Sequence, residues 1–342
     1  MNRIPRRVVV LVAVVVVVVL GVGAYAVQAV RRHQQALAAA PTVASTALAG
    51  VLAGPHIVFR STLPGPQYGL VAAVPIADPA GARAFTPLAC DRVDVAGSFA
   101  SCLRTVPGVA TTFETDIYDV STWQRTQTWP LPGIPSRTRL SDDGTLVGTT
   151  AFVTGDSYAT IGFSTRTEIH TTADGSSRGN LENWRLTVDG QPFTASDRNL
   201  WGVTFVDDDT IFATAASHAA GKTWLMTGSI SGQSLTSVAD NAECPSVSPD
   251  RSKVAYKKVV ETVNGQPVWA VAVRDIAAGT ETLIPATKGL DDQVEWLDGS
   301  TLLYGLPRAG QAGTTDVYSV GITADAQPVL FIPGAWSPSV VR

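Results

Sequence analysis

Charge, histidine and cysteine are all scarce in this chain: only 16% of its 342 residues are charged, and it has 4 histidines and 3 cysteines. The few charges are unevenly placed. Residues 1–33 carry Arg3, Arg6, Arg7, Arg31 and Arg32 and no acid, which leaves 20 basic against 29 acidic residues in the rest, a net of −9. No cationic stripe remains to neutralise phosphates, so a nucleic-acid binder is excluded. His56, His170 and His218 stand at no metal spacing with another His, Cys or acid, so no metal site is expected. A nucleophile elbow is missing as well, because GSISG from Gly228 has Ile where G-x-S-x-G needs its serine. Ala220-Gly-Lys-Thr ends like a phosphate loop, yet Ala216 replaces the first glycine and no strand-loop-helix pattern surrounds it. Neither a cofactor nor a catalytic residue is therefore expected.

What the chain has in plenty is apolar sequence, 45% of it, with 30 glycines and 21 prolines. That balance excludes disorder as the main state and suits one large all-β domain or two ordinary ones. From Val8 to Val27 no charged or amide side chain occurs. Twenty residues at 1.5 Å each cross about 30 Å of hydrocarbon, and lipid forces even a valine-rich backbone into a helix. Three arginines before the run face two after it, so the positive-inside rule favours a cytoplasmic amino terminus by a narrow margin. We read a retained anchor spanning about residues 8–30. The alternative is a signal peptide cleaved near Ala26, since Ala24-Tyr25-Ala26 has the A-x-A form. Either way the body is exported, and residues 34–54, rich in Ala, Thr, Ser and Pro, read as a spacer.

Cysteine placement agrees with export. Cys90 and Cys102 lie symmetrically about Ala96, so a hairpin turning at Val95-Ala96-Gly97 sets them directly opposite each other, within bridging range. The alternative is two buried free thiols. Cys244 is left over as a small apolar residue.

A unit of apolar strand, Asp/Gly turn and apolar strand recurs from Thr138, Val203, Pro245 and Val294. Repeats of about 40–50 residues indicate propeller blades. Ser141, Val206, Ser248 and Leu297 mark equivalent positions before the turn, and the hairpin at Gly97 and Ser337 in AWSPSVV extend the series on either side. HIVFRS from His56 reads as a second strand lacking its first, and AWSPSVV as a first strand lacking its second. Joined, they complete one blade and leave no long exposed edge. The expectation is an all-β, six-bladed β-propeller over residues 55–342, closed by strands from both termini, with an anchor region over 1–33 and the linker over 34–54. ENWRLTVDGQPF, with its DG turn, reads as an extra outer hairpin on the third blade.

The string ECPSVSPDRSKVAYKK resembles the TolB-type propeller repeat, P-x-x-S-P-D-G followed by an apolar strand. Cys90-Asp-Arg-Val, Asn199-Leu-Trp-Gly-Val-Thr-Phe and Asp291-Asp-Gln-Val-Glu-Trp-Leu-Asp are similar to strings of the actinobacterial, membrane-anchored TolB-like translocation proteins. The resemblance covers residues 55–342 and implies an extracytoplasmic propeller. Arg251 departs from it, standing where the repeat has glycine.

Paired acids occur at Asp142-Asp143, Asp207-Asp208-Asp209 and Asp291-Asp292. Each sits at or near a repeat turn, where Asp bonds its own backbone, so a structural role is expected in place of Ca²⁺ binding. Ser248, Pro249, Asp250 and Asp298 belong to the same turns, as do Ser337 and Pro338 by their place in the series. Trp201, Trp296 and Trp336 precede the turns and read as packing between blades. The functional expectation is a non-catalytic binding or scaffolding module for an envelope protein, peptide or wall component. Its alternative is a lyase or hydrolase with carboxylates gathered in the central funnel, the mark of which is two titratable groups converging there.

Overall fold

A computed structural model describes residues 6–38, 43–155 and 162–342. Arg3 and residues 39–42 of the linker lie outside the described residues. The chain divides into two compact units, one holding the amino-terminal helix and one beginning at Ala44. The helix runs Arg6–Ala38, and within it Ala13–Arg32 has a mean hydropathy of 2.4, long and apolar enough to cross a membrane.

In the second unit, among the described residues, six sheets, antiparallel but for one added strand, are arranged as blades. Blade 1, from the inside outwards, is Ala335–Val341, His56–Ser61, Leu70–Pro75 and Ala84–Ala89. The carboxy-terminal strand is thus the inner strand of the blade that His56 opens, as the ends of the sequence predict. The inner strands of the next five blades are Arg92–Ala96, Ile134–Leu140, Arg198–Phe205, Glu243–Val247 and Glu295–Trp296. They touch in a closed order that returns to Ala335–Val341, which makes the ring.

Side-chain hydroxyls and carboxylates stitch neighbouring inner strands where no ladder joins them. Between blades 1 and 2, Val95 N–H donates to Ser339 Oγ at 2.9 Å and Ser339 Oγ–H to the Val95 carbonyl at 3.2 Å, and Ser337 does the same with Val93. Leu140 N–H donates to Asp94 between blades 2 and 3, and Val247 N–H to Thr204 between blades 4 and 5. Blades 5 and 6 are joined by Trp296 Nε1–H to the Ser246 carbonyl at 2.9 Å. Each such bond contributes about 1 kcal/mol, and together they satisfy groups whose burial unpaired is costly.

Four of the acids accept hydrogen bonds within their own turns. Asp143 accepts from Ser141 Oγ and Thr145 N–H, Asp250 from Ser248 Oγ and Ser252 N–H, Asp298 from Ser300 N–H, and Asp207 from Asp209 and Thr210 N–H. Asp208 and Pro249 are exposed at the turn tips, and Asp142 pairs with Arg251 at 3.4 Å. Arg251 takes φ +61°, the left-handed conformation that Gly144 takes at +76° in blade 3.

Five expectations need correction. The extra hairpin, Arg185–Val188 with Gln191–Pro192, belongs to blade 4, where it lies parallel to the outer strand Ser234–Asp240 because Leu186 buries against the Leu235 cluster. The blade 2 hairpin turns at Gly97-Ser98, with Ala96 opposite Phe99, so Cys102 faces Val93 and not Cys90. The disulfide nevertheless forms, with Cα atoms 5.4 Å apart, because the segment before Arg92 bends back and ties the blade 1–2 connection to the second strand of blade 2. Ser337 and Pro338 are not turn residues. They lie within the inner strand of blade 1, where a register shift opposite Val58–Arg60 and φ +52° at Ser337 make a bulge. Asp291 and Asp292 also stand away from a repeat turn, in the connection that leads into blade 6. Finally, the end of the stretch read as linker is part of the propeller. Ala44–Thr46 pairs alongside Arg83, and the short helix Leu48–Leu52 packs Val51 into the core shared by blades 1 and 2.

Candidate functional site

Inner strands with alternating pattern put every second side chain into the channel. In RVDVA, SRTRL and QVEW the channel side is charged: Arg92 and Asp94 from blade 2, Arg137 and Arg139 from blade 3, Glu295 from blade 6, with Asp292 just before it. Three arginines therefore meet three carboxylates across the ring. Arg92 holds Asp292 at 2.8 Å, and Arg137 approaches the same carboxylate at 3.9 Å. Arg139 lies between two acids, in close contact with Glu295 and 3.7 Å from Asp94.

One guanidinium shared by two buried carboxylates leaves a negative charge under-compensated. Burial raises the Asp94 carboxyl from 3.8 to about 6; Arg139 works against the rise, Glu295 adds to it, and the Leu140 N–H and Ser339 hydroxyl oppose it. For Arg139 burial acts to lower the pKa, but Glu295 and Asp94 outweigh it and hold the guanidinium protonated.

A second charge cluster, buried at Lys257 and Glu243 and exposed at Asp291, links blades 5 and 6. Lys257 is fully buried, 2.6 Å from Asp291, 3.7 Å from Glu243 and 4.2 Å above the Trp269 ring. Burial opposes its ammonium form, yet Cys244, Asp291 and Glu243 raise its pKa overall. Glu243 itself is pushed up by burial. Between blades 3 and 4, burial lifts Glu182 to about 7 although Thr167 N–H, Thr165 Oγ and Leu200 N–H all donate to it.

Two funnels open on the channel. At the repeat-turn mouth a cavity of about 410 Å³ is floored by Asp94, Arg139 and Glu295 and rimmed by Asp142, Pro249 and Arg251. At the opposite mouth a cavity of about 320 Å³ is lined by Arg92, Arg137, Ser136, Asp291 and Trp336. A small cavity of about 20 Å³ is lined by residues of both, Asp94 and Arg139 from the first and Arg92 and Arg137 from the second. Arg92 covers one side of the Trp336 ring at 4.9 Å, and the Cε3 and Cζ3 atoms of that ring lie where a Cβ on Gly305 would have to sit. Trp201 and Trp296 are buried packing residues. Among the described residues, no group of three His, Cys, Asp or Glu side chains is placed to hold a metal. His170 packs on Trp129 with ring centroids 4.8 Å apart, and burial lowers its pKa.

The turn acids singled out from the sequence do not converge on a site. The channel charges do, and their signal was available: a charged residue at alternate positions of otherwise apolar inner strands, which is costly unless partners face it.

No family profile matches the chain, and no curated protein matches it. Solved structures do. A functionally unknown protein from Desulfotomaculum acetoxidans is 14% identical, with a TM-score of 0.45 over 80% of this chain and 83% of that one. The putative TolB from Agrobacterium tumefaciens is 8% identical, with a TM-score of 0.43 over 83% and 90%. The β-propeller domain of the trilobed protease from Pyrococcus furiosus is 12% identical, with a TM-score of 0.41 over 70% of each chain. The likeness is one of fold alone.

Proposed function

We propose that the chain is a membrane-anchored, extracytoplasmic binding or scaffolding propeller, with an anchor region at 1–33, a linker from residue 34, and a propeller over 55–342 that also takes in the end of the 34–54 stretch. The amino terminus is cytoplasmic and the propeller lies outside; cleavage near Ala26 is the competing outcome. The partner is an envelope protein, peptide or wall component, received at the repeat-turn funnel. One observation carries the non-catalytic reading: the charges of the channel pair with one another across the ring, so the point where Asp94 and Glu295 converge is filled by the Arg139 guanidinium. A general acid or base needs that point for a reacting atom.

The test places a photo-crosslinking amino acid at Pro249 on the funnel rim, or at Gln124 on the exposed outer strand of blade 2, in cells carrying the full chain. A discrete adduct from position 249 and none from 124 is expected. No adduct from the rim, or the same adducts from both, overturns the reading. Fractionation supplies the second arm: the full chain stays with membranes after alkaline washing, and release with a new terminus at Val27 rejects the anchor. The enzyme alternative is favoured by Asp94, because two carboxyls do converge in the channel and one has its pKa raised into the working range of a general acid. Turnover of a glycan or peptide ester that is lost in Asp94→Asn would establish it.

A further inference from the structure

The two ends of the propeller differ in surface chemistry. At one end the repeat turns present Asp142, Asp143, Asp207, Asp208, Asp250 and Asp298 to solvent, with Arg251 among them. Among the described residues, those turns expose no large hydrophobic side chain. Strand direction places five exposed aliphatic side chains at the opposite end. Val109 is fully exposed in the hairpin that joins Phe99–Val106 to Thr112–Asp119. Ile134 opens the inner strand of blade 3, and Val153 lies near the far end of its second strand, Leu146–Thr154. Val260 and Val263 stand on the part of Lys253–Val263 furthest from the blade 5 turn. Val238, Val329 and Leu330, also exposed, lie on the outer strands of blades 4 and 6. Lys288 pairs with Glu261 and Arg308 with Asp316 at the aliphatic end, while Lys222 and Asp240 are exposed there and of opposite sign. A layer of carboxylates is repelled by an anionic lipid surface, whereas aliphatic tips gain by leaving water for the interfacial zone. Chain length brings such a surface within reach. Residues 33–43 alone separate the apolar stretch Ala13–Arg32 from Ala44, and fully extended they span about 40 Å.

We propose that the end of the propeller opposite the repeat turns is a lipid-contacting surface, which lies on the leaflet from which the anchor emerges and lowers Val109, Ile134, Val153, Val260 and Val263 into its headgroup zone. The acidic end and its funnel then face away from the membrane, open to a partner. This inference rests on the anchored reading proposed above.

The full chain, reconstituted into phosphatidylcholine vesicles with a minority of phosphatidylglycerol, tests it. Val109→Cys, Val263→Cys and Asp298→Cys variants are each labelled with an environment-sensitive dye; Cys244 is buried, and the unsubstituted chain is the labelling control. Lipid carrying a headgroup nitroxide should lower the emission at positions 109 and 263 by roughly half, because those positions sit in the headgroup zone, and should leave 298 unchanged. Flotation after alkaline washing reads the anchor separately: a chain that does not float overturns the anchored reading and this surface with it. In a chain that floats, dyes at 109 and 263 that stay in water, that shift to the blue without quenching because a protein covers them, or that quench no more than the dye at 298 would each overturn the lipid-contacting surface alone.

Discussion

Replacing Asp94 with Asn reads the channel electrostatics through stability. Asparagine keeps an acceptor for the Leu140 N–H but mimics the protonated acid. The folded protein raises Asp94 from 3.8 to about 6, first through burial and then through Glu295, with Arg139 opposing. Because the folded value lies above the unfolded one, protonation of Asp94 stabilises the fold fully below pH 3.8, and that stabilisation is lost as pH rises through about 6. Roughly two pH units correspond to about 3 kcal/mol. Exposed acids such as Asp174 and Asp250, held near 2 by turn hydrogen bonds, change in the opposite sense on acidification. The wild-type profile therefore mixes both effects, and the difference between variant and wild type isolates Asp94. In urea unfolding of the full chain from pH 4.5 to 8, the two proteins should be nearly equal at the acid end. The variant should then become more stable by about 2–3 kcal/mol at pH 8. A flat difference, or one in which the variant loses ground as pH rises, would refute the reasoning, since the latter is the behaviour of a carboxylate that Arg139 fully compensates.

Other perturbations have equally definite outcomes. Arg251→Gly relieves a left-handed residue in the blade 5 turn at the loss of an exposed pair with Asp142, and should raise stability by about 1 kcal/mol in thermal unfolding; a decrease would show that the turn is not strained. Replacing both Cys90 and Cys102 with Ser opens a loop whose ends are 12 residues apart and should cost about 3 kcal/mol in urea. Intact wild-type protein that alkylates at both positions without reductant would contradict the bridge. Deleting Ala335–Arg342 removes the inner strand of blade 1 and should abolish cooperative unfolding by circular dichroism, whereas a variant that melts sharply would mean that the ring does not depend on its closure.

The ring itself was legible because closure leaves a mark in one dimension: HIVFRS and AWSPSVV are each half of a hairpin, and they pair from His56–Val341 to Ser61–Ala335. The turns were legible for a local reason, since Asp143, Asp250 and Asp298 bond residues two positions away. Where the reading failed, distant partners decided. Ser337-Pro338 looks like Ser248-Pro249, yet the first is a bulged strand and the second a turn, because Ser337 bonds Val93 in the next blade, 244 residues away in sequence. Leu186 finds the outer strand of blade 4 and not blade 3, which no local spacing encodes. The channel was missed for the same reason. Asp94, Arg139 and Glu295 come from three blades, and although alternating charges mark those strands, nothing local says which partners face them.

The claim that the channel charges serve one another rather than chemistry is tested most directly by a double-mutant cycle on Arg139→Met and Glu295→Met, read by urea unfolding of the full chain. Arg139→Met leaves Asp94 and Glu295 buried without their shared cation and should cost about 3–5 kcal/mol, whereas Glu295→Met leaves Arg139 paired with Asp94 and should cost less; the double variant should cost at least about 2 kcal/mol less than the sum. An Arg139→Met variant that leaves stability unchanged or raises it, as removal of a group held ready for catalysis does, or effects that simply add, would contradict the account.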